Sequence, residues 1–203
     1  EDVIYRSGAK DTDLICVSGN LGAAYCGLQL LEREKSVYYM QLQEARKKNK
    51  DAVVYFQPDF SGREYLLERQ LQPEARGDIL KTLRQAGVRP TSMIDISDGL
   101  SSEIMHICKE SDTGCRLFEK EIPIDYQTAV MAEEMNMNLS TCALNGGEDY
   151  ELLFTCPIGD YEKVKELDDI RIIGHITKKE LGTLLVTRDG QEFPLKAQGW
   201  QHA

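Results

Sequence analysis

Histidine is scarce in this chain. The three present, His106, His175 and His202, are scattered. None lies beside a serine or cysteine in a pattern for nucleophilic catalysis, and none is spaced to hold a metal. Both are therefore excluded as readings. The six cysteines, at positions 16, 26, 108, 115, 142 and 156, form no Cys-x-x-Cys pair and lack the dense spacing of a secreted scaffold. Most sit among apolar neighbours, as Cys16 does in Leu14-Ile15-Cys16-Val17, so they read as reduced core residues of a cytoplasmic protein, with no zinc site. There is no apolar run of transmembrane length and no signal-peptide pattern, so no membrane partner is expected. Basic residues are outnumbered, 24 to 34, for a net charge of −10, which repels nucleic-acid backbones and anionic membranes. An acidic chain still takes nucleotides when magnesium bridges its carboxylates to phosphates.

What is present is a globular composition of 203 residues, 41% hydrophobic, enough for one domain or at most two small ones. Strands and helices alternate without repeats. Leu14–Val17 reads as a strand, and Ser18-Gly19-Asn20 as a turn into a helix with Leu21, Ala24, Tyr25, Leu28 and Leu31 on one face. That turn is either a plain tight turn or an anion site at a helix N-terminus. Residues 32–52 are strongly charged and read as a helix end and an exposed connection. Val53–Phe56 suits a strand or a docked loop. A helix is predicted over Arg63–Leu71. A second, with Ile79, Leu80, Leu83 and Ala86, is closed by Gly87. Ser92–Ile96 reads as a buried strand, followed by a helix carrying Leu100, Ile104, Ile107 and Cys108. Further on come a strand near Cys115–Glu119, helices near Tyr126–Met135 and Asp160–Leu167, and strands at Leu152–Thr155 and Arg171–Ile176. A hairpin turns at Asp189-Gly190. The expectation is an α+β domain with helices on a mixed or antiparallel sheet.

Two segments carry chemistry. Ile94-Asp95-Ile96-Ser97-Asp98-Gly99-Leu100 places Asp95 and Asp98 at a strand-to-helix turn, where they suit a magnesium ion, which takes one or two carboxylates and leaves its other positions to water and phosphate. Ser97 is placed to hydrogen-bond a phosphate oxygen. The competing reading is that Ser97 or Asp98 only caps the following helix. About fifty residues on, Gly146-Gly147-Glu148-Asp149-Tyr150-Glu151-Leu152 removes side chains where another molecule or backbone approaches and offers three acids in four positions. Those acids either meet a substrate or face water at a turn. Metal-bound carboxylates permit direct phosphoryl transfer by positioning and charge neutralisation, with no covalent catalytic residue.

These residues, with Val17-Ser18-Gly19-Asn20-Leu21-Gly22, the opening Arg6-Ser7-Gly8-Ala9-Lys10 and the closing Gly199-Trp200-Gln201-His202, resemble the thiamine-monophosphate kinase family from one end of the chain to the other. The related aminoimidazole ribonucleotide and selenophosphate synthetases share the architecture but look different at these motifs. The resemblance implies a PurM-like C-terminal domain over residues 11–203, with residues 1–10 ending a linker from an N-terminal ATP-binding domain. A start without methionine, close to a strand, likewise suggests a cut-down protein. It implies magnesium-dependent transfer of phosphate from ATP to thiamine monophosphate, giving thiamine diphosphate, in a homodimer built through that other domain, and a fragment inactive alone. By position, Asp95 and Asp98 would hold magnesium, Ser97 and Arg6 would contact ATP, Glu148 would contact substrate, and Trp200 would offer an indole face to the thiazolium cation. The charged stretch Glu32–Asp59 looks longer than the family usually has and is expected to decorate the surface. The rival readings are another ATP-dependent synthetase of the superfamily, or a non-catalytic domain that binds a nucleotide or a protein partner.

Overall fold

The computed structural model describes residues 3–197. Among these, seven strands form one sheet: β1 (Leu14–Ser18), β2 (Ser92–Asp95), β3 (Thr113–Phe118), β4 (Leu152–Cys156), β5 (Ile170–Lys178), β6 (Thr183–Val186) and β7 (Glu192–Pro194). Their order is β2-β4-β1-β5-β3-β6-β7. Every neighbouring pair is antiparallel except β3 and β6, which run parallel. The helices are α1 (Ala23–Lys48), α2 (Glu64–Leu71), α3 (Gly77–Gln85), α4 (Leu100–Ser111), α5 (Tyr126–Glu134), α6 (Leu139–Asn145) and α7 (Tyr161–Val164). This is the α+β architecture with a mixed sheet that the sequence predicts.

The sheet is covered on both faces, which is why its central strands are apolar without alternation. Side chains point to opposite faces along a strand. On β1, Ile15 and Val17 join Leu100, Ile104 and Ile107 of α4 in one core, while Leu14 and Cys16 join Ile79 and Leu83 of α3, with Phe154, in another. A third cluster lies between α1, α2, α5 and α6, around Cys26, Leu30, Leu66, Met131 and Cys142. All six cysteines are buried and unbonded, as expected.

Several elements differ from their sequence expectation. The face that α1 buries is Ala23, Ala24, Cys26, Gly27 and Leu30, and Leu28 points outward. A bare glycine at 27 lets the α2 backbone come close, since a Cβ there would lie 2.2 Å from the Leu66 carbonyl oxygen. Small residues therefore set much of the contact face, joined by Leu30, while Leu28 is left outside. The helix also runs on through the charged stretch to Lys48, with Arg46, Lys47 and Lys48 in its last turn, where cations oppose the negative end of the helix dipole. Residues 52–60 form no strand, which leaves the loop of the two readings for Val53–Phe56. They run as an extended loop with Val53 90% and Tyr55 91% exposed and with Val54 and Phe56 partly covered. Helix α6 has no counterpart in the sequence reading, and the helix predicted over Asp160–Leu167 shrinks to four residues flanked by 3₁₀ turn.

Phe154 is fully buried in the α3-side core. Phe154→Ala is expected to lower unfolding free energy by about 3–5 kcal/mol through the cavity it leaves. Val53→Ala is expected to stay within about 0.5 kcal/mol. Urea denaturation of the two variants checks both values.

Candidate active site

The two motifs, about fifty residues apart in sequence, form one structure. The Glu148 N–H donates to the Ser97 carbonyl at 2.8 Å, the Tyr150 N–H to the Ile96 carbonyl at 2.8 Å, and the Ile96 N–H to the Glu151 carbonyl at 2.8 Å. These bonds continue the β2–β4 pairing past Asp95 opposite Leu152. The glycines are explained by this contact. A Cβ on Gly147 would sit 2.4 Å from the Ser97 carbonyl oxygen, and one on Gly99 (φ +114°) would sit 2.9 Å from that of Leu144. The turn between them is wound tightly: Glu148 (φ +69°) and Tyr150 (φ +51°) both lie in the left-handed region. Each such non-glycine residue costs on the order of 1 kcal/mol and is typical of functional loops.

Of the three acids in the second motif, two are structural. Asp149 is 1% exposed. Its carboxylate accepts the Gly22 N–H at 2.7 Å and the Ala24 N–H at 3.3 Å, so it caps the N-terminus of α1 from outside that helix. The anion at the Ser18-Gly19-Asn20 turn is thus the protein's own. Burial pushes the Asp149 carboxyl up to about 7 against the pull of those two N–H groups. Glu151, 2% exposed, accepts the Ser18 hydroxyl at 2.5 Å, and it is paired with Arg69 at 2.9 Å and with Arg76. Arg69 also donates to the Asp149 carbonyl at 2.6 Å, and Arg76 reaches on to Asp78 and Asp169. Gly19 makes room, since a Cβ there would lie 2.3 Å from the Glu151 carboxylate.

The remaining acids, Asp95, Asp98 and Glu148, are exposed on the rim where the motifs meet. Glu148 accepts the Tyr150 hydroxyl at 3.0 Å. That bond raises the phenol above its ordinary pKa, and the charges of Asp95 and Asp98 act in the same direction. The capping reading fails for the first motif. The N-cap of α4 is Gly99, and no side chain caps it, so neither Ser97 nor Asp98 has that duty. Behind the turn, Glu103 is 2% exposed. Its Oε1 accepts the Asp98 N–H at 3.2 Å, and its Oε2 is buried without a hydrogen-bond partner among the described residues. Burial, reinforced by Asp98 and Asp95, pushes its carboxyl up to about 7 against the pull of the Asp98 and Glu103 N–H groups.

Among the described residues, no group of three or more His, Cys, Asp or Glu side chains is arranged to hold a metal ion by itself. Two exposed carboxylates backed by an orphaned buried carboxylate oxygen nonetheless suit magnesium, a hard cation that takes one or two carboxylates and completes its shell with water and phosphate. Asp95, Ser97, Asp98 and Glu148 therefore converge on one rim. Arg6 stands on a separate segment of the chain. It is exposed in a segment lying along the outer edge of β2, where the Tyr5 carbonyl accepts the Met93 N–H at 2.9 Å. Trp200 lies outside the described residues. Glu103, Arg69, Arg76 and Tyr150 escaped the sequence reading. Glu103 had a signal: it falls on the buried helical face with Leu100, Ile104 and Ile107, a position where an acid is unexpected.

No family model matches the sequence. It is 30% identical over 202 residues to the thiamine-monophosphate kinase of Aquifex aeolicus, covering 100% of this chain and 55% of that protein. It is 32% identical over 209 residues to the enzyme of the same name from Escherichia coli K12, covering 97% of this chain and 54% of the relative. A solved structure described as AaThiL complexed with AMPPCP and TMP superposes with a TM-score of 0.73 at 29% identity, over 98% of this chain and 54% of that one. The fold is the PurM-like one. The chain spans about half the length of the curated relatives it matches.

Two outcomes follow from the paired turns. Gly147→Ala forces the Ser97 carbonyl away, and the expected cost is about 1–3 kcal/mol, with loss of hydrogen-exchange protection at the Glu148 amide. Asp149 binds its proton more tightly in the folded state than in the unfolded one. Its contribution to stability is therefore full below about pH 4 and lost as pH rises towards 7. Asp149→Asn removes this titration, so the variant's urea midpoint, measured from pH 4 to 7, should decline less steeply than that of the wild type.

Proposed function

The chain is a relative of the thiamine-monophosphate kinases, aligned along its whole length with about half of theirs, and from that premise we propose that it supplies part of the site that transfers phosphate from ATP to thiamine monophosphate. The observation that carries this reading is the hydrogen-bonded pairing of the two motifs, which gathers Asp95, Asp98 and Glu148 on one exposed rim.

In this reading Asp95 and Asp98 hold magnesium. The ion, when bound, neutralises charge on the phosphoryl group in flight. Ser97, held by its carbonyl to the Glu148 amide, offers its hydroxyl to a nucleotide phosphate. Glu148 points outward because its neighbours Asp149 and Glu151 are buried, and its carboxylate suits the cationic thiamine. Tyr150 steadies that carboxylate through its hydroxyl. Arg6 and Trp200 complete the nucleotide and substrate contacts in the proposal. Residues 11–203 act as a PurM-like C-terminal domain and residues 1–10 as the end of a linker. The remaining acids and the nucleotide pocket come from a part of the protein outside these 203 residues, which also forms a homodimer. Six unbonded thiols suit a reducing cytoplasm, and no helix among the described residues is long and apolar enough to cross a membrane. Against the rival of a non-catalytic domain that spends its acidic turns as helix caps, the first turn caps nothing, since α4 has no side-chain cap, although Asp149 of the second does cap α1.

In the full-length protein, Asp95→Asn and Asp98→Asn are each expected to lower thiamine diphosphate formation about a hundredfold or more, by removing charge stabilisation of the transferring group, with an unchanged circular dichroism spectrum. Rates within about twofold of wild type for both variants would sink the assignment.

A further inference from the structure

Glu103 is the one carboxylate near the rim whose placement the fold does not explain. It sits in the first turn of α4, between Leu100, Ile104 and Ile107, all fully buried. Leaving a carboxylate oxygen buried without a partner is costly. A glutamine would spare the fold the buried charge, and an apolar side chain the whole cost. One of its oxygens is used, on the Asp98 N–H at 3.2 Å, and the other has no hydrogen-bond partner among the described residues. The same carboxylate faces the charges of Asp98 and Asp95.

We propose that Glu103 is a positioning residue for the metal-bearing turn: one oxygen fixes the Asp98 backbone, and the other accepts a hydrogen bond from a water in the hydration shell of a magnesium ion held by Asp95 and Asp98. The inference rests on the reading of those two residues as magnesium ligands. Magnesium dehydrates reluctantly and keeps several waters, and acceptors behind the ligands orient such shells and raise metal affinity. A positive ion in front also relieves the repulsion among these three acids. The fold thus gives up some stability in the free protein for affinity in the loaded one.

The test is calorimetric binding of a non-hydrolysable ATP analogue to the full-length protein across a magnesium titration, paired with urea unfolding in the absence of magnesium. Glu103→Gln keeps the volume and an acceptor for the Asp98 amide but loses the charge. The expected result is a magnesium half-saturation raised about tenfold or more, with a metal-free urea midpoint equal to or above that of the wild type. Glu103→Asp, which keeps the charge but retracts it, is expected to shift half-saturation as well, and it serves if the glutamine variant does not fold. A half-saturation within about twofold of wild type in the folded variant, while Asp98→Asn shifts it, overturns the proposal and leaves the ligand assignment standing. So does a lower urea midpoint with unchanged magnesium dependence, the mark of a purely structural residue. If Asp95→Asn and Asp98→Asn also leave the magnesium dependence unchanged, the ligand assignment itself has failed, and this inference falls with it.

Discussion

The buried carboxylate of Glu151 is the contact on which the arrangement of this domain depends. Two guanidinium groups, from α2 and from the turn before α3, meet it beside the Ser18 hydroxyl at the end of β1. Three separate segments are thereby tied to the start of β4. Such a pair is weak evidence for net stability, because desolvating the charges offsets much of their attraction. Its force lies in specificity: removing Glu151 leaves the Arg69 guanidinium without its carboxylate, at about 3–5 kcal/mol. Asp149, two residues earlier, performs the equivalent task for α1 by capping it across space.

These two buried acids determine where the third one goes. With Asp149 turned inward to α1 and Glu151 held by arginine, the turn has few conformations left, and it adopts left-handed backbone at Tyr150 between them and at Glu148 just before. Glu148 is thrown outward onto the rim with Asp95 and Asp98. Strain at this loop is sustained by the hydrogen bonds to Ser97 and Ile96, and it is tolerated because the surrounding contacts over-determine it. Scaffold and site are therefore built from the same seven-residue motif.

Identity of about 30% extends along the whole chain, while only a little over half of each relative is matched. The rim of exposed acids lies within the part that these relatives share.

The sequence by itself determined the α+β class, the strands in the central sheet, the buried reduced cysteines and the identity of both motifs. These follow from local pattern: apolar runs, glycine at turns, and acids beside them. Residues of that kind carry their signal in spacing alone. It also held the mark of Glu103, an acid on an apolar helical face, although its free oxygen could be seen only once the turn was folded. Tertiary structure alone decided which acids serve the scaffold and which face outward, because Glu148, Asp149 and Glu151 are chemically alike and are separated only by what packs against them. It also decided that α1 would turn its small residues to α2 and leave Leu28 exposed, since close backbone approach at Gly27 outweighed the burial of larger side chains elsewhere on the helix. The meeting of the two motifs was hidden for the same reason: a hydrogen bond between residues fifty apart is a property of the sheet, and nothing in either segment encodes its partner.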